Sequence, residues 1–140
     1  MPMAESAKSV AQGAIEMFNR EFAAGRTGIS AETRASWVPE PVILPFRALL
    51  EATEYSGSTA LENFAADTRE SWEWIRIEPD QIRELDARRA LLVGELIGRG
   101  RETGIETSAP IAVLLVVRDG RVAKVRTFTS EREALAEAGQ

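Results

Sequence analysis

The stretch IAVLLVVRDGRVAKVRTFT, residues 111–129, decides the fold. Seven apolar residues in a row, 111–117, run through Arg118 into Asp119-Gly120. That dipeptide suits a two-residue type I′ hairpin turn, because both central positions take positive φ. The residues beyond it, 121–129, are then the partner strand. A strand with one wet face alternates apolar and polar residues, and 111–117 has no polar face. Ile111, Val113, Leu115 and Val117 fall on one side, Ala112, Leu114 and Val116 on the other. Both sides need cover.

Working outward, the same period-two signal predicts further strands at WEWIRIEP (72–79), ALLVGELIGRGR (90–101) and IETSAPIAVLLVVR (105–118). Tight turns at Arg88 and at Thr103-Gly104 join them into an antiparallel meander. In 90–101 one face reads Leu92, Gly94, Leu96, Gly98, Gly100 and the other Leu91, Val93, Glu95, Ile97, Arg99, Arg101. The first face carries no charge and suits an interior, and its glycines let the strand bend, whereas the reversed register would bring Glu95 and Arg99 inside.

Helices precede the meander. Val10, Ala14, Met17, Phe18 and Phe22 recur at three- and four-residue spacing in 9–25, and Gly25 is a natural stop. ISAETRASWV (29–38) reads as a short helix capped by Ser30 and ended before Pro39, with PVILPF (41–46) an edge strand after it. RALLEATEYSG (47–57) is expected to be extended. STALENFAADTRESW (58–72) is a helix with Thr59 and Glu62 at capping-box spacing, and Ser130 with Glu133 opens a closing helix in the same way. Helices first and strands after give an α+β domain, one layer of helices against one sheet.

At 140 residues the chain has the size of one domain, taken as 1–140, large enough for a single core. With 22 acidic against 17 basic residues the net charge is −5, which disfavours nucleic acid and anionic membranes as partners. Cysteine and histidine are both absent, so thiolate chemistry, imidazole catalysis and the commonest metal ligands are excluded. No metal-ligand cluster and no phosphate loop is present, and no metal or cofactor is expected. No apolar run approaches membrane-spanning length and no signal peptide is evident, so a cytoplasmic protein is expected.

Two N-terminal helices, an edge strand, YSG (55–57) opening a capped helix, and a meander ending in RDGRVAKVRTFTSEREAL (118–135) together resemble a SnoaL-like domain of the nuclear transport factor 2-like superfamily. The resemblance runs from about Val10 to Gly139. It implies a cone: a strongly curved antiparallel or mixed sheet whose concave face is roofed by the N-terminal and central helices, with a short C-terminal helix. Members include polyketide cyclases, ketosteroid isomerases, epoxide hydrolases and dehydratases, so it implies a fold more than an activity.

Relatives commonly dimerise through the convex faces of their sheets. On that basis the second side of 111–117 is expected at a homodimer interface, with Val93, Glu95, Ile97, Arg99, Ala112, Leu114 and Val116. The alternative is that a terminal segment or helix of the same chain covers it. The expected pocket lining is Phe18, Phe22, Trp37, Phe46, Tyr55, Phe64, Leu96, Val113, Leu115 and Thr127, which favours an apolar or aromatic ligand.

The positions at which the family places its acids look neutral here. Val38 stands near the isomerase base, Thr127 at the acid of the last strand, and Leu96 near the central-strand acid. No catalytic residue is therefore assigned. The first expectation is a small-molecule binding protein with a mainly apolar pocket. A cyclase, isomerase or epoxide hydrolase using Glu95 or Glu40 with Tyr55 or Arg99 is the second, and a dimerising interaction module the third. Tyr55 equally serves to anchor its turn, and Arg47 either meets a ligand carboxylate or pairs at the surface.

Overall fold

The computed structural model describes residues 6–45 and 54–139. In chain order the elements are α1 (Ala7–Glu21), α2 (Ala31–Ala35), β1 (Trp37–Leu44), β2 (Tyr55–Ser56), α3 (Ala60–Ser71), β3 (Trp72–Glu84), β4 (Arg89–Gly100), β5 (Glu106–Arg118), β6 (Arg121–Phe128) and α4 (Glu131–Glu137). The six strands form one curled sheet in the order β2-β1-β6-β5-β4-β3. β1 runs parallel to β6, and all other neighbours are antiparallel. None of the described helices is long and apolar enough to cross a membrane.

The β5–β6 hairpin turns as its sequence predicts, with φ of 54° at Asp119 and 73° at Gly120. β1 departs from expectation. It begins at Trp37, because α2 stops at Ala35, and it carries Pro39 and Pro41 inside the strand. Proline lacks the N–H a ladder needs, and the β1–β6 register slips between Trp37 and Val42, so both prolines sit in a bulge. The Thr59 capping box also fails to form: Thr59 makes no side-chain cap bond, and its hydroxyl accepts from Asn63 instead. Ser30 and Ser130 do cap their helices, accepting from the N–H of Thr33 and Glu133.

Curvature is set where β3 crosses β4. Their register slips between Trp72 and Trp74 and again between Pro79 and Gln81. A Cβ on Gly94 would strike the Glu78 carbonyl oxygen and lie 2.9 Å from Pro79 Cα. At Gly98 the Trp72 indole comes within 2.8 Å of where a Cβ would be. Only glycine permits both approaches, and the bulges bend the sheet there.

The concave face carries the larger core, in which α1 and α3 pack on Ile75, Ile77, Leu92, Leu96, Ile111, Val113 and Leu115. α1 is fastened to the free edge of β3. Asn19 Nδ2 donates to the Ile77 carbonyl (2.9 Å), the Ile77 N–H donates to Asn19 Oδ1 (2.7 Å), and the Ile75 N–H donates to the Phe22 carbonyl (3.1 Å). These bonds pair backbone groups that an edge strand otherwise exposes.

The outer side of β5 is covered by the chain itself. α4 lies across it, and Ala134 and Ala138 form a second core with Leu91, Ala112, Leu114 and Phe128. Arg126 to Glu137 (2.7 Å), Arg83 to Glu131 (3.0 Å) and Arg89 Nη1 to the Ala138 carbonyl (2.8 Å) tie the helix to the sheet. This corrects two expectations. Helices occupy both faces of the sheet, and Ala112 and Leu114 are enclosed within one chain because the small side chains of α4 let it approach closely.

Candidate functional site

Curling of the sheet leaves a cavity of about 70 Å³ between the concave face and the helices. α1 contributes Ala14, Ile15 and Phe18, and α3 contributes Phe64. β1 adds Trp37 and Ile43, with Pro45 just beyond it, while Ile77 and Leu96 come from β3 and β4. β5 presents Ile111, Val113 and Leu115, and β6 Val125 and Thr127. Each strand contributes alternate residues, the consequence of the two-residue side-chain period. Val113 is paired directly with Thr127, so their side chains share the concave face.

Seven of the ten residues expected at the pocket therefore stand on this wall: Phe18, Trp37, Phe64, Leu96, Val113, Leu115 and Thr127. Phe22 and Tyr55 lie elsewhere. Phe22 caps the end of α1 and packs between Phe18, tilted against it, and Phe64, edge to face, with the Arg69 guanidinium 5.2 Å from its ring centre. Tyr55 is buried against the far side of Phe64, and its hydroxyl donates to Asp67 Oδ2 at 2.6 Å. Burial, with the Asp67 carboxylate beside it, pushes the Tyr55 hydroxyl well above the ordinary tyrosine range, so it stays protonated and committed to α3. Phe46 and Arg47 lie outside the described residues. Ala14, Ile15, Ile43, Pro45, Ile77, Ile111 and Val125 line the cavity without being among the expected residues, although Ile43, Ile77 and Ile111 carry the period-two signal of their strands.

No acidic or basic side chain among the described residues lines the cavity. Glu95 is exposed on the outer face of β4 and Glu40 is exposed on β1. Arg99, also outward, pairs with Glu73 at 3.2 Å. The acid–base pairs considered from the sequence are thus not assembled at the cone. Two described lining residues carry a polar side-chain atom, the Thr127 hydroxyl and the Trp37 indole N–H, and neither atom has a hydrogen-bond partner among the described residues. Among those residues, no cluster of acids could hold a metal ion.

On the outer face Val93, Ile97 and Val116 are half-buried beside the strip that α4 covers, and Glu95 and Arg99 are exposed.

No family profile matches the sequence, and no curated protein does. Solved structures do match over nearly the whole chain. A nuclear transport factor 2-like protein from Anabaena variabilis is 18% identical with a TM-score of 0.70, covering 94% of this chain and 96% of that one. A candidate SnoaL-like polyketide cyclase from Jannaschia sp. CCS1 is 14% identical with a TM-score of 0.67, covering 99% and 96%. TerC, co-crystallised with polyporic acid, is 15% identical with a TM-score of 0.67, covering 92% and 97%. The chain has the nuclear transport factor 2-like fold. At these identities the likeness carries the fold and not an activity.

Proposed function

We propose that the cone binds one small, uncharged, predominantly apolar molecule, with the Thr127 hydroxyl as its polar anchor, and that no side chain performs acid–base chemistry on it. The observation that carries this is the wall itself: its described residues bear no charge, and their side chains are carbon apart from the Thr127 hydroxyl and the Trp37 indole nitrogen. An ionised ligand would lose its hydration there without gaining a counter-charge, at a cost of several kcal/mol. A neutral ligand with one hydrogen-bonding group meets no such penalty and gives Thr127 the partner it lacks.

Size refines the proposal. The cavity of about 70 Å³ is smaller than the roughly 150 Å³ in which an apolar protein cavity takes up benzene. A ring therefore enters with movement of Phe18 and Trp37, the half-buried aromatics on the wall. That TerC, on the same fold, was co-crystallised with polyporic acid supports a small organic ligand. The proposal includes a homodimer through the outer face, supported by the half-buried Val93, Ile97 and Val116.

The three tryptophans give a direct test, because Trp37 stands on the cavity wall and Trp72 and Trp74 do not. In 19F NMR of the 5-fluorotryptophan-labelled chain, phenol should shift the Trp37 resonance saturably. Toluene should bind there more weakly, and Thr127→Val should remove the difference between the two. An unmoved Trp37 resonance with both ligands contradicts the proposal.

A further inference from the structure

A second concavity, of about 400 Å³, shares no residue with the cone cavity. It lies between the loop after α1 and the start of β3, with Phe22, Trp72, Trp74 and Ile75 as its apolar walls and Arg26 and Arg101 at its side. The charges around it do not cancel. Glu73 is taken by Arg99 at 3.2 Å, and Arg69 by Glu21 at 3.4 Å. The Arg101 guanidinium donates to carbonyl oxygens at the end of α3, those of Arg69 (2.7 Å) and Trp72 (3.3 Å), and no carboxylate among the described residues neutralises its charge. The Arg26 guanidinium makes no ion pair or hydrogen bond among the described residues, and only its backbone N–H is used, donating to the Ala23 carbonyl at 3.3 Å. Two uncompensated guanidinium groups thus flank one groove in a chain whose net charge is −5.

Its floor adds an independent sign. Thr68 Oγ1 and Arg69 Nε are buried without a hydrogen-bond partner among the described residues, and Thr68 is only 1% exposed. Buried polar atoms are nearly always paired, and both of these can donate, so what they lack in common is an acceptor. We propose that this groove binds a small aryl carboxylate, its ring against Trp72 and Trp74 and its carboxylate held by Arg26 and Arg101 above the buried donors of Thr68 and Arg69. The geometry suits that class because guanidinium groups recognise carboxylates directionally and the aromatic walls take a flat apolar body. The site shares no residue with the cone, whose described wall carries no charge to hold the same ligand.

The same labelled chain tests it with 1-naphthoate and its neutral counterpart 1-naphthalenemethanol. Naphthoate should shift the Trp72 and Trp74 resonances saturably and leave Trp37 in place, and the alcohol should bind the groove at least roughly fivefold more weakly. Arg26→Ala should raise the naphthoate Kd by about fivefold, and Arg26→Lys should recover most of it. The Arg26 side chain is exposed and holds no hydrogen bond or ion pair among the described residues, so the phenol shift at Trp37 should persist in both variants and report an intact fold. A naphthoate response confined to Trp37, no saturable shift, or an Arg26→Ala Kd equal to that of the parent chain would overturn the proposal.

Discussion

Glu21 shows how much one side chain can organise in this molecule. It is 2% exposed, yet it accepts from the Thr33 hydroxyl (2.6 Å), the Ser30 hydroxyl (3.0 Å) and the Ser30 N–H (3.3 Å), and it pairs with Arg69. Burial alone would raise its pKa, but the bonds from Thr33 and Ser30 and the charge of Arg69 together hold it below the ordinary carboxylate value. Because the native pKa is lowered, the stabilisation is complete above 4.5, the ordinary glutamate value, and is lost as pH falls through the native value. Glu21→Gln should therefore cost about 1–3 kcal/mol near neutrality in urea unfolding. The variant should also lose less stability than the parent chain between about pH 5 and pH 3, and parallel pH profiles would refute that. Nothing in the sequence marks Glu21 or Asn19, since both look like solvated helix residues until tertiary partners are placed around them. Leu96 was legible because a two-residue period sends it and Glu95 to opposite faces.

At the scale of elements, β5 was readable as a strand apolar on both sides, but not the identity of its cover. The helix that provides it has only seven residues, and its contact residues Ala134 and Ala138 are too small to announce a buried face. Their smallness is what allows the backbone of α4 to approach Ala112 and Leu114. Leu114→Glu should accordingly act on folding within one chain, since it buries a charge under α4. A fall in Tm of roughly 10 °C is expected by calorimetry. A normal Tm would show that α4 does not enclose Leu114. The bounds of β1 were misjudged for a related reason: Pro39 and Pro41 argue against a regular ladder, and the chain accommodates them in a bulge rather than by ending the strand.

Across the whole molecule, helices on the concave face define the cone and α4 covers part of the outer face, over Leu91, Ala112, Leu114 and Phe128. The residue left for a partner is a narrower strip than the sequence implied. Ile97→Glu should convert a homodimer to a monomer by light scattering while leaving Tm nearly unchanged, in contrast to Leu114→Glu. A parent chain already monomeric at tens of micromolar would rule the homodimer out.

The central claim is that the cone encloses a dry, carbon-lined space suited to neutral apolar molecules. Crystals of the protein held under xenon pressure test it most directly, because xenon enters apolar cavities that water avoids. The account predicts a xenon atom between Phe18, Leu96 and Val113, with the Thr127 hydroxyl at the margin. Ordered waters filling that space, with xenon excluded, would contradict it.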